Sequence, residues 1–523
     1  QQMAKYGKHE GVGYVKIPFY ERKGDKDGYL GYPYKHWLRY QFHEGDYVKA
    51  GLVASQDAGE PFFGGKNHLG YDFYSYYLQI RKWGRLKNLT LGKYRVREGM
   101  GLILNNDLGF GKLSMLASLG RMGSSIRVHS SRYAANYLQG AAATVNVAQG
   151  FDVSAFLSYR QIDATVKNDS ISTIVTTGQH RTEKEVEKQG AASAFLAGGN
   201  VHCTRNGWHL GMTGIYYAYS LPLHPNKALL YKRFAPEGKT FWNASLDYGY
   251  ISHRLTVQGE MAMGDCGVVA TIHTASYQFS DHFSLLALYR FYPYRYYALY
   301  GNSFSAGSDV QDESGCYVGM RWTPSTKWLL EVYGDVAYFA WPKYHTSGST
   351  YAYDGLGSII YRPTQSITIG ARYQYKLKYN TTTQRARFSL SITQDSWSSK
   401  TQADVTWLAQ SKGYMASETL AYRYRWLRLN AFVGYFHTTD YDSRVYAYEP
   451  GMLYTMSFGS YFGEGIRYGV LVKADIGKRW VVVCKGSTTD YFDRNHISSG
   501  LQQINGSAQT DLEVQVKWKW SKK

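Results

Sequence analysis

The side chains best placed to act on a solute are bases spaced two or four residues apart. Arg372, Lys376 and Lys378 share one parity of the stretch Ser366–Tyr379 with Thr368, Gly370 and Gln374. Lys473, and Lys517 with Lys519, repeat the arrangement later in the chain. In a strand that spacing puts every member on one face, and a row of cations there concentrates anions. Acids of matching parity (Glu260, Asp475 and Glu513) offer the other use of these bases, as ion-pair partners that stiffen a wall. With 59 Lys+Arg against 40 Asp+Glu, many bases have no acid to pair with. The net charge of +19 fits a nucleic-acid surface, an anion-attracting lumen or contact with anionic lipid headgroups.

Other chemistries find less support. Gly109–Ser114 (GFGKLS) looks like a phosphate loop, but Asn106 stands where the first Gly belongs and Leu113 where Ser or Thr follows the Lys. His180, Asp440, Asp442, Asp493 and His496 could furnish a barrel protease or lipase. No spacing distinguishes a pair among 15 His, so no enzyme is expected. His36 with His43, and His202 with Cys203, lack companion ligands at metal-site spacing, and neither metal nor cofactor is expected.

The elements that must position the bases are strands. Opposite Arg372, Lys376 and Lys378 run Ile367, Ile369, Ala371, Tyr373, Tyr375, Leu377 and Tyr379, a wholly apolar or aromatic face. The same alternation marks Trp242–Tyr250, Leu255–Met263, Ile466–Ile476 and Leu512–Trp520, with no sustained helical period between them. No run of 18 apolar residues exists for a transmembrane helix, and mean hydropathy is -0.41. Fifty Tyr and 16% aromatics suit interfacial girdles. Gln1–Gln2 opens the chain with no signal peptide, as in a processed exported protein.

Connections alternate in length. Short ones include 84–85, 206–207, 253–254, 281–282, 325–327 and 477–479. Long ones fall near 21–35, 57–71, 98–136, 166–190, 220–240, 296–315, 439–465 and 491–509. Such alternation is expected of an all-β, single antiparallel transmembrane barrel in a bacterial outer membrane, with short periplasmic turns, long extracellular loops and both termini periplasmic. Strict alternation gives about 24 strands, within roughly 22 to 26. Residues 1–523 then form one barrel, its lipid face in contact with outer-membrane lipid and lipopolysaccharide. Under this parity Cys266 and Cys316 fall at outer strand ends and are expected to pair in an oxidising compartment, while Cys203 and Cys484 read as small buried or lipid-facing residues.

Several segments resemble one family, the Bacteroidetes outer-membrane proteins with a helix-hairpin-helix domain. They are Asp57–Phe63 (DAGEPFF), Tyr71–Ser75 (YDFYS), Leu91–Val96 (LGKYRV), Gly99–Leu102, Gly109–Lys112, Gln139–Ala143, Tyr159–Ala164 (YRQIDA), Gly178–Thr182 (GQHRT), Tyr441–Glu449 and Gly500–Gly506. They span nearly the whole chain. The family usually has Asp at the place of Lys93 and Gln at that of Met100, and its helix-hairpin-helix module is not in this sequence. Trp518 and Trp520, close to the last residue, also resemble the terminal aromatic signal read by barrel assembly machinery. The resemblance implies a barrel, and nucleic acid as a partner only through the missing module.

The longest connection, 98–136, carries Gly99, Gly101, Gly109, Gly111, Lys112, Arg121, Arg127 and Arg132. A barrel this wide leaves a lumen that wall side chains do not fill, so the segment is expected inside it or over its mouth, as a plug or gate. Two functions follow: a channel or transporter for anionic or large solutes, including DNA if the family's module belongs here, or a non-conducting part of a multiprotein outer-membrane machine. The second draws on Tyr-rich segments such as Tyr292–Tyr300 and Tyr441–Tyr454 as protein-contact surfaces at the outer loops, with the periplasmic face as the other docking site.

Overall fold

Period-two alternation runs through the chain, and nearly every strand pairs with its neighbour in sequence. A computed structural model describes residues 7–65, 67–107 and 111–521. One sheet of 27 strand segments results; the short pieces Ser125–Val128, Ala164–Lys167 and Ser170–Ile174 lie off the ring, and the other 24 strands close it, all antiparallel. Closure joins Lys8–Pro18 to Ala508–Ser521, in register from Lys8↔Ser521 to Pro18↔Asp511. No edge is left unpaired, as a sheet surrounded by lipid requires.

On one rim every connection has two to five residues; 84–85 and 323–327 are examples. The other rim carries all the long ones and is, by the architecture of such barrels, the extracellular side. Three connections on that rim are as short as those of the other, and the first joins Gly264 to Ala270 through five residues. Lys378 and Thr381 are joined by Tyr379 and Asn380, both left-handed at φ 50 and 63, as a two-residue hairpin turn requires. Trp407 and Lys412 are joined by four residues. The outer rim is therefore lowest over the strands between Ile367 and Tyr424.

The parity of Ile367–Lys378 is as its alternation demands. Tyr373 and Tyr375 face outward, 44% and 39% exposed, while Gln374 turns inward and donates to Asp354 Oδ1 at 2.8 Å. Outward aromatics form two belts. Tyr216, Trp242, Tyr351, Tyr353, Tyr375 and Tyr414 lie toward the outer ends of their strands, and Trp208, Tyr250, Trp328, Trp397, Tyr422 and Trp480 toward the inner ends.

Glu418 breaks this band. It sits on the outward face midway along Lys412–Tyr424, the one carboxylate among the described residues to do so, and accepts from Ser399 Oγ at 2.5 Å and Thr401 Oγ1 at 2.6 Å. Charge on the lipid face destabilises a barrel, a carboxylate by less than the ~2–4 kcal/mol of a midplane Lys or Arg. Glu418→Leu is expected to raise the urea midpoint of the protein refolded in phosphatidylcholine vesicles. A lowered midpoint would place that face away from lipid.

Candidate functional site

Residues 98–107 and 111–136 run inside the barrel. Gly99 and Gly101 take left-handed φ of 54 and 87, and each lies where a Cβ would collide: 2.8 Å from the Glu260 carboxyl at Gly99, 2.5 Å from Asn302 O at Gly101. This tight turn delivers the Met100 and Leu102 amides to Glu260 Oε2 on the inner wall, at 2.6 and 3.1 Å. Residues 293–312 fold inward over the turn. Tyr296 Oη donates to Leu102 O, Ser303 Oγ to Met100 O and the Asn302 amide to Gly101 O. Tyr292 and Tyr296 are fully buried there and serve the interior, whereas Arg295 and Leu299 of the same segment are exposed.

Beyond the turn, Gly111 caps the helix Lys112–Ala117, whose Met115 and Leu116 are buried. Lys112 Nζ lies 2.7 Å from Asp335 Oδ2 and 3.0 Å from Asp354 Oδ2, and Tyr317 Oη donates to Lys112 O at 2.8 Å. Asp335 is shared with Arg290, whose Nη1 and Nη2 donate to it at 2.8 and 3.1 Å while its Nε donates to Glu313. The helix is thus anchored through a buried network of five wall residues. Returning, Arg121 Nε donates to Thr256 Oγ1, Ser125–Val128 pairs with Tyr94–Arg97, and Arg127 reaches Asp107 at 3.8 Å. Arg132 stacks on Trp37 at 4.4 Å. Gly109 lies outside the described residues.

A second insertion comes from 439–463. Its hairpin, Val445–Tyr448 with Phe458–Tyr461, enters the lumen and holds Glu449 between Arg467 at 2.9 Å and Lys485 at 3.3 Å. The two insertions meet where Arg132 Nη2 donates to Tyr454 O at 3.5 Å.

The first insertion divides part of the lumen. An outer cavity of about 900 Å³ is lined by Tyr71, Asp72, Lys93, Arg160, His180 and Tyr300. An inner one of about 940 Å³ is lined by Lys49, Arg81, Asp152, His209 and Asp247. Asn105, Asn106 and Ala135 border the first, and Glu98, Met100 and Met122 border the second, so the segment forms the floor of one and the roof of the other.

Filling is lopsided. Inward residues from Thr213 to Asp335 are buried under the insertions, whereas those from Arg372 to Lys400 stay half-exposed or exposed with few exceptions. Arg372, Lys376, Lys378, Arg385, Arg387 and Lys400 share that wetter wall, and Asp404 pairs with Arg387 at 2.5 Å. Lys378 Nζ rests over the Tyr379 ring at 4.9 Å. Lys473 faces the lumen nearer the inner rim, opposite Arg428. Lys517 is bound to Glu10 at 2.7 Å, while Lys519 is exposed at the inner end. The six bases with shared parity thus separate into an outer trio on the wet wall and three placed toward the periplasm, one of them paired.

A cluster at the outer rim went unread in the sequence because its members come from two loops. His180 Nδ1 lies 2.9 and 2.8 Å from the Asp72 carboxylate oxygens, and its Nε2 3.0 Å from Asp163 Oδ2. Glu60 accepts the amides of His180 at 3.0 Å and Asp57 at 2.7 Å. Burial alone would lower the His180 pKa, but its hydrogen bonds to Asp163 and Asp72 prevail and raise it to about 10. Burial and then the nearby Asp72 push the Glu60 carboxyl up to about 7. The other loop candidates do not assemble: Asp440 accepts from Ser411 and from amides of its own turn, and Asp493 pairs with Arg494.

All four cysteines are free thiols. The expected Cys266–Cys316 pairing is not made: Cys316 stands on the outward face between Tyr289 and Val336, whereas Cys266 packs against the interior cluster. Their strands end on the same rim, but the side chains lie on opposite sides of the sheet.

No family model and no curated protein matches the chain. Among solved structures, a mutant ferric enterobactin receptor from Pseudomonas aeruginosa aligns over 99% of this chain and 81% of its own, at 9% identity and a TM-score of 0.44. The siderophore receptor PirA from the same organism aligns over 99% and 80%, at 9% identity and 0.45. The P pilus usher translocation pore aligns over 98% and 99%, at 9% identity and 0.38. These likenesses are of outline. The closed ring, the apolar outward face and the paired aromatic belts make the protein an integral outer-membrane β-barrel of 24 strands, its lumen occupied by its own loops.

Proposed function

We propose that the protein is a gated transport barrel for anionic solutes, with segment 98–136 as the element that moves. The lopsided filling of the lumen carries this reading. Where the insertions leave the wall wet, that wall is rich in Arg and Lys, and the outer rim above it is at its lowest. Cations along a water-filled wall raise the local anion concentration and set selectivity. The two cavities on the filled side, both bordered by the segment, make a vestibule on each face of a gate. Bilayer recording tests this. Small anion-selective steps are expected, and Lys376→Glu with Arg385→Glu is expected to move the reversal potential in a KCl gradient toward cation selectivity. Silence from both proteins, or an unchanged reversal potential, would sink the reading.

A further inference from the structure

We infer that Glu60, Asp72 and His180 form a binding site for a divalent first-row transition-metal cation, with Asp163 orienting the imidazole. The inference does not rest on the transport reading. One ligand atom from each of the three lies within 4.8 Å of the others, so a side-chain shift of about 1 Å brings all three onto a single ion with bonds of about 2.0–2.2 Å. Glu60 and Asp72 are brought together in a buried place, and Asp163 adds a third carboxylate against one imidazole. Two arginines face the cluster: Arg181 is held by Glu185 at 2.9 Å, and Arg160 stacks on Tyr137. Lys35 pairs with Asp57 at 2.5 Å, and Lys93 lines the same outer cavity as Asp72 and His180.

Geometry separates the roles of the two ring nitrogens. Nδ1 points at the Asp72 carboxylate, where an ion would sit, and Nε2 donates to Asp163. A metal-bound histidine whose other N–H rests on a carboxylate is the usual outer-shell device for fixing ring orientation and basicity. Gln189 Nε2 donates to Asp72 Oδ1 at 3.1 Å and steadies that ligand. Asp72, His180 and Gln189 line the outer cavity, which leaves an approach for the ion and room for water as a further ligand. An imidazole with two carboxylates suits Zn(II) and its first-row neighbours better than Ca(II) or Mg(II), which take oxygen. Binding exchanges the Nδ1 proton, released to solvent, for the metal, so affinity rises with pH. The ion would tie the 57–72 connection to the 163–191 connection at the mouth of the outer cavity.

The purified chain in detergent, stripped with EDTA and dialysed, is titrated with Zn(II) by calorimetry and with Co(II) by visible absorption. One ion per chain and a Co(II) ligand-field spectrum are expected. His180→Gln is expected to abolish both. Asp163→Asn, which alters only the orienting partner, should weaken Zn(II) by about 10- to 100-fold, and Glu60→Gln, which keeps the side-chain shape, by at least about tenfold. Heat-modifiable gel mobility verifies that each variant is a folded barrel. Absence of a Co(II) spectrum, or Zn(II) binding that His180→Gln and Glu60→Gln both leave unchanged, overturns the assignment and reduces the cluster to an ion-pair network.

Discussion

Replacing residues 99–135 with a short Gly-Ser linker is expected to turn small, fluctuating currents into a steady conductance larger by about an order of magnitude. The estimate follows from lumen size: side chains alone fill a barrel of eight strands, and 16 to 18 strands already enclose an aqueous channel. With 24 strands, the chain's own insertions are what occupy the space here. Lys112→Met tests the same point with a single side chain. It strips Asp335 and Asp354 of the cation that ties the helix Lys112–Ala117 to the wall. Breaking one member of a buried ion pair costs about 3–5 kcal/mol, enough to favour release of the helix. Long openings in bilayer recordings are expected. Adding Asp354→Asn should partly restore the quiet state by removing an acid left without its partner. If the linker variant conducts no more than the parent, segment 98–136 is not what closes the lumen.

Arg290→Met is expected to be the most damaging single substitution in the wall. Arg290 is 0% exposed, and its guanidinium is the main counter-ion of Glu313 and one of two for Asp335. Removing it leaves carboxylates in a dry site, and a loss of about 3–5 kcal/mol is expected from urea unfolding in vesicles. Because Asp335 also holds Lys112, the effect should reach the helix, so Arg290→Met and Lys112→Met should be non-additive. The triple variant Arg290→Met with Glu313→Gln and Asp335→Asn should recover most of the loss, since buried ionic groups are costly mainly when unpaired. A triple variant no more stable than the single one would show that packing, not charge, governs the site.

What was legible in the sequence is what depends on a period of two. Ser366–Tyr379 states its own two faces, and strict alternation of connections counts the strands correctly even though 265–269, 379–380 and 408–411 are too short to look like outer loops. Contacts between distant segments were not legible. Lys112 was singled out, but nothing local to it indicates Asp335 and Asp354, more than two hundred residues away. His180 was noted as one of several loop histidines; that Asp72 and Asp163 would flank its ring is a property of two loops folding against each other. Tyr292 and Tyr296 were not separable from exposed loop tyrosines because Tyr is amphipathic, and a buried lumen and an exposed loop use it alike. Cys266 and Cys316 misled because strand-end position says nothing of which side of the sheet a thiol occupies.

The hairpin inside the lumen has a bearing on how the ring is shut. Tyr454 Oη donates to Glu10 and accepts from Lys517, residues on the first and last strands, while Lys517 Nζ also meets Glu10 at 2.7 Å. One residue earlier, the Leu453 amide donates to Gln515 Oε1 at 2.8 Å and Gln515 Nε2 donates back to Leu453 O at 3.0 Å. The tip of 439–463 therefore grips both edges of the seam from within. A chain that closes its first strand on its last across a gap of nearly five hundred residues meets a large loop-closure entropy. The internal clasp adds side-chain contacts on both edges to set against that cost. The seam is therefore held twice, by its own backbone ladder and by a clasp of side chains reaching across it from the lumen.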